Sequence, residues 1–365
     1  MKVKGKHFHS IWYDKIETRV KIIDQRLLPY KFKIEVIESI EDFETAIKDM
    51  AVRGAPLIGV TAAYGLACQM RRDPSDNSIE TTYERLADTR PTAINLRWAL
   101  DRCKKLLLKT PVQERERVSM ELAEEISNED IEINRNIGIH GLEIIKSIAK
   151  VKRSDEPVRL LTHCNAGWLA AVDWGTATSP MYQAHDHQIP IHVWVDETRP
   201  RNQGALTSWE LENHGISHNY ITDNAGGHLM QHGLVDMVIV GTDRTTASGD
   251  VCNKIGTYLK ALAAKDNNIP FYVALPTPTI DWTVNKGLEE IPIEERNEKE
   301  VSRVKGTEDG GKVSEVKVTP EGSFGVNPAF DVTPARLITG LITEKGICDA
   351  SKEGLKDLLF SKGRN

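Results

Sequence analysis

The sequence predicts an α/β protein in two parts, a smaller, mainly helical unit over residues 1–150 and a parallel, doubly wound sheet over 151–365. Three observations predict it. Past residue 157, short apolar runs alternate with helical segments, and successive runs lie about 20–30 residues apart, the signature of a parallel sheet with crossover helices. Before residue 150 the apolar residues recur mainly at helical spacings of three and four. Between the two textures lies Lys150 to Pro157, charged and proline-containing, which marks the boundary.

In chain order, Phe8 to Asp14 and Val20 to Asp24 read as short strands, followed by a turn at Leu28-Pro29-Tyr30. Phe43, Ile47 and Met50 then open the helical pattern. Leu57 to Met70 is apolar on every side and therefore a buried helix, with Pro56 at its start, where a missing N–H costs nothing. Arg71 to Thr89 is polar. Arg90-Pro91-Thr92 is a loop before a helix through Leu96 to Leu108, and Gln113 to Ala149 is further helix. Beyond the boundary the strands are Val158 to Thr162, Ile191 to Val195, His218 to Thr222, Val235 to Gly241 and Pro270 to Pro276. The helices between them are Thr176 to His187, Ala205 to His214, Gly227 to His232 and Val251 to Lys265. Lys286 to Glu321 is dense in charge and reads as a solvated excursion.

Composition excludes several classes. Forty-seven basic against 53 acidic residues give a net charge of −6, which suits neither non-specific nucleic-acid binding nor an anionic membrane surface. No apolar run approaches the roughly 18–20 residues that span a bilayer. The basic start Met1 to Lys6 has no apolar run after it, so no secretory signal is expected. Five cysteines, Cys68, Cys103, Cys164, Cys252 and Cys348, form no C-x-x-C pair. A cytoplasmic protein without a disulfide framework is expected.

Ligands of an open parallel sheet bind beyond the carboxyl ends of its strands, and four successive strand ends here carry polar or glycine-rich clusters. They are His163-Cys164-Asn165-Ala166-Gly167, Asp196 to Gly204, Asp223 to Gly227 and Thr242-Asp243-Arg244. Cys164, in a turn leading into a helix, reads either as a thiol of depressed pKa or as a buried small hydrophobe. Asp243 reads either as an acid or base raised by desolvation or as a cap or partner of Arg244. Asp250 looks like an N-cap. Arg53-Gly54-Ala55, Arg90 and Asn253-Lys254 each stand at a loop–helix junction and together suit a phosphate. Neither a P-loop nor a G-x-G-x-x-G fingerprint is present, so a small phosphorylated metabolite fits better than a nucleotide. His185, His187, His228 and His232 have no metal-site spacing, and no metal is expected.

Several segments resemble the methylthioribose-1-phosphate isomerases, an aldose-1-phosphate isomerase family related to the regulatory subunits of initiation factor 2B. They are Asp24-Gln25-Arg26-Leu27-Leu28-Pro29, Arg53 to Gly59, Arg90 to Leu96, Thr162 to Gly167, Asp196 to Pro200, Gly249 to Tyr258 and Asn327 to Pro334. The resemblance implies a helical N-terminal domain on a Rossmann-like C-terminal domain. It also implies a homodimer without metal or other cofactor, and methionine salvage as the setting. It makes Cys164 and Asp243 the catalytic pair, with Arg53, Gly54, Ala55, Arg90, Gln203, Asn253 and Lys254 holding the phosphosugar. Two departures stand out: Gln203-Gly204-Ala205 runs straight into Leu206-Thr207, where many members insert an arginine, and Thr242 stands where an alanine is common. The shortened loop leaves 5-deoxyribose 1-phosphate and ribose 1,5-bisphosphate as alternative substrates, and a non-catalytic regulatory subunit as the alternative class.

Overall fold

The structure is a computed structural model and describes residues 1–90 and 93–360. Its N-terminal part opens on the short antiparallel pair Lys2–Val3 and Lys6–His7, followed by an antiparallel sheet of Ile11–Asp14, Arg19–Ile23 and Ile34–Ile37. Val20 and Ile22 are buried while Arg19 is exposed and Lys21 half-buried, the alternation of a half-covered strand. The residues from Phe8 that were expected to extend the first strand lie ahead of it.

Five helices follow. Ser39 caps Ile40–Lys48, its hydroxyl accepting from the Asp42 N–H while the Asp42 carboxylate accepts from the Ser39 N–H; this reciprocal pair fixes the start of the helix. Ala55–Arg72 is apolar all round because it is enclosed, and it packs against Ile94–Leu107 and Arg115–Ala149. The polar stretch after Arg71 conceals a helix, Asp76–Ala87. Only Ile79, Leu86 and a few small residues carry its buried face, too few apolar positions to show a period. Pro91 and Thr92, read as a loop, lie outside the described residues. Arg115–Ala149 is shared by two cores. Leu122, Ala123 and Ile126 join the N-terminal cluster, whereas Ile137, Leu142 and Ile145 pack beneath the large sheet.

That sheet has seven strands. In space they run Gly346–Cys348, Gly340–Thr343, Phe271–Ala274, Met237–Val240, Val158–Thr162, Ile191–Asp196 and His218–Ile221. All neighbours are parallel except the first pair. The order is doubly wound: the chain moves outward from Val158–Thr162 to one edge, then returns to its other side with Met237–Val240. The crevice between these two strands is the topological switch point, where ligands of such sheets bind. The last two strands were not anticipated, since only Gly340-Leu341-Ile342-Thr343 marks them.

Two local readings are corrected. Val251 to Lys265 is not one helix: Val251–Lys254 is a strand paired with Arg244–Thr246 and Phe330–Thr333, and the helix is Thr257–Asp266. Cys252 faces a small apolar cluster with Val284 and Ile291, which favours a strand at that point. Asp250 therefore does not cap the helix expected after it; its carboxylate instead accepts from the N–H groups of Gly287 and Ala335, the first residues of the short helices Gly287–Glu290 and Ala335–Leu337.

Asp130, midway along the long helix, accepts from the Val172 N–H at 2.7 Å and from Asn134 at 3.1 Å. Burial pushes its carboxyl up to about 7. The unfolded chain binds fewer protons than the folded one between its usual range and that value, so stability falls as pH rises through this window. Asp130→Asn should unfold at a higher temperature than the parent above pH ~7, the advantage shrinking below pH ~4, as read by thermal melts across pH.

Candidate active site

All nine residues singled out from the sequence line one cavity of about 90 Å³ at the switch point. Cys164 follows the strand Val158–Thr162, and Asp243 follows Met237–Val240, so the adjacent pairing of these strands brings them to one crevice. Arg53, Gly54 and Ala55 close it from the N-terminal helices, and Asn253 and Lys254 from the strand Val251–Lys254.

Cys164 sits in a left-handed turn with φ of 70°. Its N–H donates to the Thr198 hydroxyl and its carbonyl accepts from the Thr207 hydroxyl, both at 2.8 Å, so the loop after Ile191–Asp196 and the helix Gly204–His214 hold the turn from two sides. The expected depression of the thiol is not found. Burial pushes its pKa up, Lys254 and Arg53 oppose the rise, and Asp243 adds to it. The turn leads into the short 3-10 stretch Trp168–Ala170 instead of a full helix, so the element that follows it brings no strong dipole to the sulfur. The other four thiols are pushed up to about 11 or 12 by burial, as packing residues would be.

At Asp243 the shift runs in the direction desolvation predicts. Burial raises its carboxyl, against the opposing fields of Lys254 and Arg90. Its backbone N–H donates to the Cys252 carbonyl at 3.0 Å. Thr242, the departure noted above, has a structural part here: its hydroxyl donates to the same Cys252 carbonyl and accepts from the Arg244 N–H, stitching the turn that carries Asp243.

The cations approach from three directions. Gly54 is the N-cap of Ala55–Arg72 with φ of 98°, and a Cβ there would stand 2.3 Å from the Ala170 carbonyl oxygen; only glycine lets the helix start reach this wall. Arg53 donates to Gln25 at 3.3 Å, and burial lowers its pKa to about 10. Arg90 stands 3.6 Å from the Glu294 carboxylate. Lys254 ends a strand instead of opening a helix; its ammonium donates to the Ala329 carbonyl at 2.9 Å and lies 4.5 Å from the centre of the Phe330 ring. Burial lowers its pKa, opposed by Cys164 and Asp243. Asn253 donates to Thr257, and the Gln203 side-chain oxygen is buried with no hydrogen-bond partner.

Sequence reasoning missed the supports. Gln25, read only as part of a motif, orients Arg53 and donates to the Leu169 carbonyl at 2.6 Å. Glu210 lies behind the cysteine turn, accepts from Asn165, Leu169 and Tyr182, and is pushed up to about 7 by burial. Glu294 comes from the stretch read as a solvated excursion. That stretch also forms the hairpin Arg303–Thr307 with Val313–Lys317, over a second cavity of about 260 Å³ that shares Met50 and Arg53 with the first. His187 and His232 bond backbone carbonyls of their own helices.

Comparison with known proteins follows the same lines. The pattern of the Initiation factor 2 subunit family matches residues 51–350. A methylthioribose-1-phosphate isomerase of Sinorhizobium medicae is 62% identical over 98% of this chain and 99% of its own. The Escherichia coli protein of that name is 60% identical over 98% and 96%. Among solved structures, 5-methylthioribose 1-phosphate isomerase from Pyrococcus horikoshii superposes with a TM-score of 0.84 at 40% identity, covering 98% of this chain and 97% of that one. Translation initiation factor eIF-2B subunit delta from A. fulgidus gives 0.80 at 38% identity, covering 97% and 99%. The chain belongs to the initiation factor 2 subunit family and, within it, groups with the methylthioribose-1-phosphate isomerases.

Proposed function

We propose that the protein isomerises 5-methylthioribose 1-phosphate to 5-methylthioribulose 1-phosphate. One observation carries the reading: a half-buried thiol and a half-buried carboxyl, both lining one small cavity, share it with Arg53, Arg90 and Lys254. The relatives that share most of this chain bear the name of that activity.

A 1-phosphate blocks the anomeric carbon, so the sugar ring does not open spontaneously as a free sugar does. Asp243, its carboxyl raised by burial, donates a proton to the ring oxygen as the C1–O bond breaks. Hydrogen then moves from C2 to C1 while the C2 hydroxyl loses its proton, which leaves a ketone at C2 and a methylene at C1. Cys164 serves either as the base that takes the C2 proton, the enol being reprotonated at C1, or as the group beside which a hydride shifts directly. Arg53, Arg90 and Lys254 neutralise the phosphate, while the backbone of Gly54 and Ala55, with Gln203 and Asn253, orients the sugar; such positioning supplies several kcal/mol of the barrier lowering.

The second cavity does not favour a second phosphate. Arg26 pairs with Asp24 and Glu35, Arg201 with Glu300, and Arg303 with Glu315, so these cations already have anionic partners. The proposal extends to a homodimeric, cytoplasmic enzyme of methionine salvage whose parts divide near residue 150; no helix among the described residues is long and apolar enough to cross a membrane.

Turnover of purified protein on methylthioribose, 5-deoxyribose and ribose phosphates, side by side, tests the substrate. The methylthio compound should lead, and equal rates on all three would defeat a dedicated role. Cys164→Ser and Asp243→Asn should each lose about 10²–10⁴ in kcat, the scale of general acid–base catalysis, with the fold intact by circular dichroism. Because Asp243 acts as an acid, kcat/KM should fall as pH rises through its elevated pKa, and that limb should vanish in Asp243→Asn. Product formed in D₂O should carry deuterium at C1 if Cys164 transfers a proton and none if hydride shifts.

A further inference from the structure

His163, beside Cys164, has hydrogen bonds that leave it one protonation state. The ring is 1% exposed at the end of the strand Val158–Thr162. Nε2 lies 2.8 Å from the Ile255 carbonyl oxygen. A carbonyl only accepts, so Nε2 carries a hydrogen. Nδ1 lies 2.9 Å from Asp196 Oδ2, and the Lys260 ammonium stands 3.3 Å from that same oxygen. An ammonium at this range favours the ionised carboxylate, which also only accepts, so Nδ1 donates too.

We propose that His163 is a buried imidazolium that positions Cys164 and Lys254, a role that rests on the isomerase reading above. On one side the ring is joined through the chain to Cys164. On the other its Nε2 hydrogen holds the carbonyl of the residue after Lys254. The cation therefore pins the turn of the thiol to the turn of the ammonium, across the switch point. Gly256 leaves room for it: at φ of 102°, a Cβ would stand 3.0 Å from His163 Cε1 and 3.1 Å from Nε2.

The charges facing the ring complete the case. Asp223 Oδ1 lies 3.7 Å from Nδ1, and its carboxylate also accepts from the Thr198 and Arg199 N–H groups. Thr198 in turn holds the Cys164 N–H. Asp331 accepts from the Gly256 and Tyr258 N–H groups, on the turn whose carbonyl His163 holds. Lys260 also donates to the Asp223 carbonyl at 2.5 Å. Three carboxylates thus face two cations, and the second ring proton supplies one of those positive charges.

Nitrogen-15 NMR of the full-length protein labelled at histidine, assigned by the signals lost in His163→Gln, reads the protonation directly. Both ring nitrogens should carry hydrogen across the neutral range; one unprotonated nitrogen would overturn the proposal. Asp196→Asn removes the anion that makes the second proton obligatory, so its ring should shed that proton as pH rises within the range imidazoles cover. Its kcat should then fall about 10–100-fold toward alkaline pH relative to the parent, the scale of losing a charge-assisted hydrogen bond, and recover toward acid pH. A kcat profile of unchanged shape would also overturn it. The spectrum of the parent protein needs no folded variant beyond the assignment. Absence of turnover in the parent would mark failure of the isomerase reading, with the NMR result standing apart from it.

Discussion

The parallel pairing of Val158–Thr162 with Met237–Val240 is the constraint on which the rest depends. These strands are distant in sequence and adjacent in space because the chain winds outward in one direction before returning in the other. The loops beyond their carboxyl ends present side chains to any occupant of the crevice. A thiol placed after the first and a carboxyl placed after the second therefore meet without either having to reach far. The fully buried Val238, Val240, Leu160 and Leu161 beneath them hold that spacing by packing, since close-packed interiors resist small displacements.

Desolvation gives this crevice its chemical character. The same burial that raises the Cys164 thiol and the Asp243 carboxyl lowers Arg53 and Lys254. Each group is thereby held nearer to neutrality than it would be in water. An arriving dianion changes the balance at once. Its charge favours the ionised arginine and lysine and disfavours ionisation of Asp243, which in the proposed mechanism reinforces the proton that ring opening needs. The mild acidity of the whole chain is irrelevant at this scale, because the local field comes from a few groups in a low-dielectric pocket.

Much of this was legible in the residues. Apolar runs of four to six residues bounded by polar clusters located five strands of the large sheet and the turns that carry chemistry, because buried parallel strands need continuous apolar sequence. Loop–helix junctions marked Arg53 and Arg90. What stayed hidden had physical reasons. Val251-Cys252-Asn253-Lys254 alternates too briefly to separate strand from helix, and its strand character comes from pairing with Phe330–Thr333, far along the chain. Asp76–Ala87 is a helix whose apolar face is too sparse to show a period. The raised thiol of Cys164 depends on how deeply the turn is enclosed, a quantity no local spacing records. Gln25 and Glu294 act through partners remote in sequence, and nothing in their own neighbourhoods announces it.

The helix Arg115–Ala149 is a rod of 35 residues, about 50 Å at the α-helical rise, and it contributes side chains to both principal cores. A member common to two cores makes their stabilities interdependent: exposing one end strips contacts from the other along an otherwise continuous hydrogen-bonded ladder. The wall of the pocket that carries Arg53 and the floor that carries Cys164 are thus parts of one cooperative unit, and the geometry between them is lost together or kept together.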